Sequence, residues 1–177
     1  VNNEATPAIA LAYISASVKA HGYQVETVDA IAEGINRLWD FENFPGFEGQ
    51  GLTHGELIEQ IPENAAVIGF SGMFSSEWPF LRDLVIAVSK RFPDALLVAG
   101  GEHVTAVTEH SLRDCPALDV CDRGEGEAIF VSLLEALRET GDCRYVDGIG
   151  FIDSEGRYCE NNSLQRIRRI DDIPWPD

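Results

Sequence analysis

Apolar residues recur through residues 7–21 (PAIALAYISASVKAH) at Ile9, Ala12, Tyr13, Ala16 and Ala20, the three-and-four spacing of one helix face. A proline in the first turn and Gly22 past the end agree with those limits. Residues 23–28 (YQVETV) change to alternation and predict a strand, and residues 66–71 (AVIGFS) predict a buried one. Residues 29–65, rich in Gly, Phe and Glu, predict a long excursion with short helices near 31–39 and 53–61. Its Trp39, Phe41, Phe44 and Phe47 are expected to form a satellite core under a loop.

From there the rhythm is regular. The pattern predicts a helix over 78–92, a strand over 95–99, a helix over 103–114, a short strand over 118–121, and a helix over 128–140 that stops at Gly141. Strands alternating with helices across short loops imply a parallel sheet covered on both faces. Residues 148–160 (GIGFIDSEGRYCE) instead show two short alternating runs about a turn ending in Gly156, a terminal hairpin. The final IRRIDDIPWPD carries two prolines in three residues and no period, as an exit linker would. The first helix begins so close to Val1 that the usual opening strand is missing, and the expectation is a strand removed from in front.

Composition narrows the function. The 177 residues suit one core, and 45% hydrophobic with 24% charged residues is a globular balance with no apolar run long enough for a membrane helix. The N-terminus has neither the basic start nor the apolar core of a signal peptide, so a cytoplasmic protein is expected. A net charge of -17 argues against nucleic acid and anionic membranes as partners, and the Arg166, Arg168, Arg169 cluster reads as an ion-paired exposed segment. Cys115, Cys121, Cys143 and Cys159 lie 6, 22 and 16 positions apart, without metal spacing, and are expected to be reduced thiols.

In an open parallel sheet, ligands sit beyond the carboxyl ends of the strands. Three loops there are rich in small residues: Ser71-Gly-Met-Phe-Ser-Ser76, Gly100-Gly-Glu-His-Val-Thr105 and Arg123-Gly-Glu-Gly-Glu127. Each has a plainer explanation. Gly100-Gly101 serves equally as a tight turn, Glu125 and Glu127 suit any helix start, and Ser75 and Ser76 suit a cap. GxGxxG, GxxxxGK[ST], GxSxG and HExxH are all absent, and His103 and His110 have no clear third metal ligand. Neither catalytic nor metal-binding residues are assigned.

The order of the pieces nevertheless resembles the N-terminal cobalamin-binding domain of cobalamin-dependent radical S-adenosylmethionine enzymes, the class of magnesium-protoporphyrin ester cyclase-like proteins and many methyltransferases. The pieces are PAIALAYISASVKAHGYQVETVDA, VIGFSGMF, VAGGEHVT, DRGEGEAIFVSLLEAL, GIGFIDSEGRYCEN and DDIPWPD, in sequence order across nearly the whole chain. The resemblance implies an α/β, flavodoxin-like (Rossmann-like) doubly wound parallel sheet with a C-terminal β-hairpin and a truncated first strand. Residues 1–147 would be the cobalamin domain, 148–165 the hairpin and 166–177 a linker to a radical domain.

Cobalamin is then the cofactor, with the corrin over the loops and the nucleotide tail between sheet and helices. The implied binding residues are Ser71, Gly72, Met73, Phe74, Ser75, Gly100, Gly101, Glu102, His103, Val104, Thr105, Gly124, Glu125 and Gly126. Gly100 and Gly101 would give the tail clearance; Ser71, Ser75 and Thr105 would hydrogen-bond tail or corrin amides, and the 124–126 amides would lie near the base of the tail. No histidine here has the DxHxxG pattern, so cobalamin is expected base-off, its lower face closed by Met73 or Phe74 and His103 only a neighbour. The family's CxxxCxxC is absent, so the 4Fe-4S cluster and S-adenosylmethionine belong to the parent enzyme, whose C-terminal radical domain is the partner. The present residues alone are expected to bind and catalyse nothing. A free-standing cobalamin carrier or sensor, and an unrelated flavin or nucleotide domain, remain alternatives.

Overall fold

The computed structural model describes residues 7–162, 167 and 169–176. Helix α1, Ile9–Ala20, matches the first predicted period and ends at Gly22, whose φ of 80° is the left-handed conformation that lets the chain turn back. Residues 31–39 make no helix: a 3-10 turn at Ala32–Gly34 leads into strand β1, Leu38–Asp40, paired antiparallel with β2, Glu48–Gln50. Helix α2, His54–Gln60, starts at Thr53, whose hydroxyl accepts from the Glu56 amide while Glu56 accepts from the Thr53 amide.

The expected aromatic residues gather as a half-buried cluster rather than a closed core, with Phe47 58% exposed. Phe41 stacks on Phe80 with ring centroids 4.3 Å apart, Trp39 lies against Phe41, and Phe44 meets Phe80 edge-on. Phe80 belongs to helix α3, Trp78–Arg91, so this cluster ties the excursion to the main body.

The main sheet continues with β3 (Val67–Ser71), β4 (Leu96–Gly100), β5 (Val120–Asp122), β6 (Ile149–Ile152) and β7 (Tyr158–Glu160), in that spatial order. The first three are mutually parallel; β6 and β7 form the predicted hairpin and extend the same sheet antiparallel from β5. Helices α4 (Glu102–Ala106) and α5 (Thr108–Asp114) replace the single helix expected over 103–114. The break is at Val107, with φ −134° and ψ 45°, and the Thr108 hydroxyl donates to the Val104 carbonyl across it. Helix α6, Gly126–Thr140, ends at Gly141 as predicted.

Because strand side chains alternate, each strand feeds two cores. Ile68, Leu97, Ala99 and Cys121 face α3 and α5, meeting Val85, Val88 and Leu112. Val98 and Val120 face the other way, onto Ile129 and Leu133 of α6. Cys115, Cys121 and Cys143 are buried thiols, and burial raises the pKa of each.

The strand predicted over 23–28 does not form. Its residues take no regular structure: among the described residues no backbone hydrogen bond joins 24–28 to a neighbour, and β3 pairs only with β4. Residues 24–28 and the free edge of β3 instead face each other across a cleft. Alternation supplies the propensity, but a strand exists only with a ladder partner. The exit segment holds a 3-10 turn at Ile170–Asp172. Expectations for Val1, Arg166 and Arg168 lie outside the described residues.

Candidate functional site

The loops after β3, β4 and β5 lie side by side, as parallel strands require. The first two are also locked together. The Gly72 amide donates to the Gly100 carbonyl at 2.6 Å, and the His103 amide reaches the Gly72 and Met73 carbonyls, each at 3.2 Å. Gly101 has φ 110°, a conformation reserved for glycine, and a Cβ there would stand 2.7 Å from the Gly72 carbonyl oxygen. Gly72 is equally confined, since its Cβ would meet Val104 Cγ2 at 2.7 Å. These glycines let two loops touch backbone to backbone.

His103 is buried beneath this junction. Its Nδ1 lies 2.9 Å from Ser75 Oγ and its ring 5.0 Å from that of Trp78, while Nε2 has no partner. Burial lowers its pKa, and His110 nearby adds to the effect. The ring is therefore neutral and braces the first loop through Ser75. Trp78 in turn donates to Asp114, which also accepts from Arg82.

The third loop is braced by the hairpin. The Arg123 amide donates to the Gly148 carbonyl at 2.8 Å, and the Arg123 guanidinium lies 3.3 Å from Glu160, which also accepts from the Tyr158 hydroxyl. Burial and that bond to Glu160 push the Tyr158 phenol up to about 12.

Beside the loops opens a space of about 1520 Å³ that runs from the gap between residues 24–28 and the free edge of β3, where Leu57 of α2 and Leu84 and Val88 of α3 also line it, to a cleft between the sheet and helices α1 and α6. Its sheet wall is set by strand alternation: Gly69, Ser71, Val98, Gly100 and Asp122 all point to the α6 side. Leu11, Ile14 and Val18 of α1 and Phe130 and Leu134 of α6 form the apolar wall opposite. Glycine at 69 and 100 widens the space between layers, which suits a bulky, partly apolar ligand held by backbone groups.

Of the residues expected to bind, Ser71, Met73, Gly100, Gly101, Glu102, Thr105, Gly124, Glu125 and Gly126 line this cleft. Gly72, Phe74, Ser75, His103 and Val104 do not: Gly72, His103 and Val104 are buried under the loops, and Phe74 stands 60% exposed at the rim. Asp122 and Gly69 were not singled out from the sequence, although their phase with Val120 and Val67 carried the signal. Asp122 is the more unusual. It is 4% exposed, Oδ1 has no hydrogen-bond partner, and burial, assisted by Glu127 and opposed by the Gly124 amide, pushes its carboxyl up to about 7. No group of three or more metal-ligating side chains occurs among the described residues.

The chain is similar to several known proteins over most of its length. It is 29% identical over 150 residues to the cytidylyl-2-hydroxyethylphosphonate methyltransferase of Streptomyces wedmorensis, covering 84% of this chain and 28% of that protein. It is 34% identical over 103 residues to the anaerobic magnesium-protoporphyrin IX monomethyl ester cyclase of Synechocystis sp., covering 56% of this chain and 20% of that one. The chain thus spans less than a third of the length of these relatives.

Among solved structures, the cobalamin-dependent S-adenosylmethionine radical enzyme OxsB with aqua-cobalamin and S-adenosylmethionine bound superposes with a TM-score of 0.74, at 15% identity over 99% of this chain and 22% of that one. The radical S-adenosylmethionine methyltransferase TsrM from Kitasatospora setae gives 0.67, at 16% identity over 92% of this chain and 28% of its own. These likenesses establish the α/β fold. Residues 3–134 match the family described as the B12 binding domain, and the chain belongs to that family.

Proposed function

We propose that this chain is a cobalamin-binding domain that holds its cofactor base-off and presents it to a radical S-adenosylmethionine domain of the same polypeptide. One observation carries the reading: a wide cleft with glycine in its floor opens directly beside three adjacent loops at the carboxyl ends of parallel strands, the first two hydrogen-bonded to each other. The family match and the neighbour OxsB, a cobalamin-dependent enzyme, support the same assignment.

The residues fit such a ligand. A planar, amide-rimmed macrocycle needs an open edge with backbone donors and acceptors, and the three loops supply one. Its nucleotide tail needs a deep slot, and Gly69, Gly100 and the α1 and α6 side chains bound one. Met73, 38% exposed, and Phe74 are the apolar side chains at the rim that would cover the lower face. His103 is engaged below the loops with Ser75, which agrees with a cobalt that takes no histidine from this chain. Bound cobalamin would supply a methyl carrier or a radical partner to the adjoining domain, in a cytoplasmic enzyme that also carries a 4Fe-4S cluster.

We propose further that a parallel strand supplied upstream of Val1 fills the gap between β3 and residues 24–28. Both borders offer backbone without ladder partners, and a strand between them would fill the part of the space next to the free edge of β3 and leave the part beside the loops to the cofactor. The test is the absorption spectrum of cobalamin bound to the full-length chain. The base-off spectrum is expected; a base-on or imidazole-ligated spectrum would contradict the reading.

A further inference from the structure

One buried carboxyl stands at the corner of the loops with an oxygen that no contact uses. Asp122 ends β5 on the cleft side, buried to 4% exposure in the described structure, with Oδ1 unpartnered. Its Oδ2 lies only 3.3 Å from where a Cβ on Gly126 would stand and 3.7 Å from the corresponding point on Gly100, so the carboxyl occupies the corner between the second and third loops. Immediately beside it begins α6, a 15-residue helix whose first turn no side chain caps. The amides of Gly126 and Glu127 carry no hydrogen bond among the described residues.

Burying a carboxyl with one oxygen unpartnered is costly, and a helix start left uncapped beside it leaves donors unsatisfied as well. Both deficits are met by a single ligand that brings anionic oxygens. We propose that Asp122, in its acid form, donates a hydrogen bond to a phosphodiester oxygen of the bound nucleotide tail, while the exposed amides at the start of α6 receive the same phosphate.

The acid form is available. Burial already holds the carboxyl neutral up to about pH 7, and an adjacent phosphate would hold it so further. Glu127 on α6 is the charge that acts on it, and the other charged groups lining the same space are Glu125 and Arg123 in its own loop, Glu102 at the head of α4, Lys19 on α1 and Glu26. Arg123 is committed to Glu160 at 3.3 Å, so the corner is not supplied with a free counter-charge by that side chain. An ionised Asp122 would face the phosphate as a like charge. Proton uptake and tail binding are therefore coupled.

This assignment rests on the reading of the cleft as a cobalamin site, and the experiment separates the two. Affinities of the full-length chain for methylcobalamin and for methylcobinamide, which lacks the phosphate, ribose and base, would be measured between pH 6 and 8.5 by fluorescence quenching. Methylcobalamin should weaken by about 10- to 30-fold on raising the pH, since one proton must be kept above a folded-state value near 7. Methylcobinamide should show no such slope. Asp122→Asn keeps an N–H donor and should flatten the methylcobalamin profile at the high-affinity level; Asp122→Leu should bind it weakly at every pH.

The unliganded protein gives a second readout. A carboxyl raised in the folded state stabilises the fold below its unfolded value near 3.9, and that contribution disappears as the pH rises to about 7. The melting temperature of wild type should therefore fall relative to Asp122→Asn over that window. A flat methylcobalamin profile in wild type, or the same slope with methylcobinamide, overturns the assignment while leaving the cobalamin site intact. Retention of neither ligand at any pH overturns both.

Discussion

Gly101→Ala is expected to lower the urea midpoint of the domain by far more than Gly141→Ala and to abolish cobalamin retention. Both glycines have positive φ, 110° and 75°, so both substitutions meet backbone strain. At Gly141 nothing lies within 4 Å of the added Cβ, and the cost should be about 1 kcal/mol. At Gly101 the new carbon would meet the Gly72 carbonyl oxygen at 2.7 Å and the Gly72 carbon at 2.9 Å, which are backbone atoms that cannot rotate away. Strain in a region that only glycine occupies, added to that clash, should bring the loss to about 2–4 kcal/mol. Relief requires the two loops to part, breaking the bonds from the His103 amide to Gly72 and Met73. Equal midpoint shifts for the two variants would show that the loops are not locked as described.

Gly69→Leu should do the reverse, sparing the fold while blocking the site. Gly69 sits in the middle of β3, paired with Val98, and faces the cleft rather than the core. A Cβ there would meet only the end of the Phe130 ring, at 3.3 Å, and that half-buried ring has the cleft into which to shift. The leucine branches would then occupy the slot assigned to the nucleotide tail. Overpacking a bound ligand by that volume costs about 3 kcal/mol, or about 100-fold in affinity. Titration of the variant with cobalamin, beside a thermal melt close to wild type, checks it. Undiminished affinity would place the tail elsewhere.

The loops were legible because each is a glycine-bearing break directly after an apolar run, and such breaks fall at strand ends whatever the ligand. Residues 78–91, 96–100 and 126–140 were legible for the same local reason, with Pro79 opening one helix and Gly141 closing another. What escaped depends on partners distant in the chain. Residues 23–28 alternate correctly, yet have no ladder to join. The break at Val107 follows from the Thr108 hydroxyl turning back on Val104 and Thr105, which periodicity does not register.

The contact between Ser75 and His103 beneath the loop joins residues of two different loops, which no local pattern in the chain registers. Asp122 was hidden for a different reason. Read as part of DRGEGE it belongs to a loop; only the phase of β5, with Val120 and Asp122 on the α6 side, makes it the wall of the cleft.

The central claim is that the cleft beside these loops holds cobalamin. Its most direct test is to mix the full-length chain with excess hydroxocobalamin, remove the unbound portion by desalting, and read the retained cofactor by absorbance against protein concentration. About one cobalamin per chain is predicted, as for one cleft beside the loops. Protein that emerges folded but colourless would contradict the account.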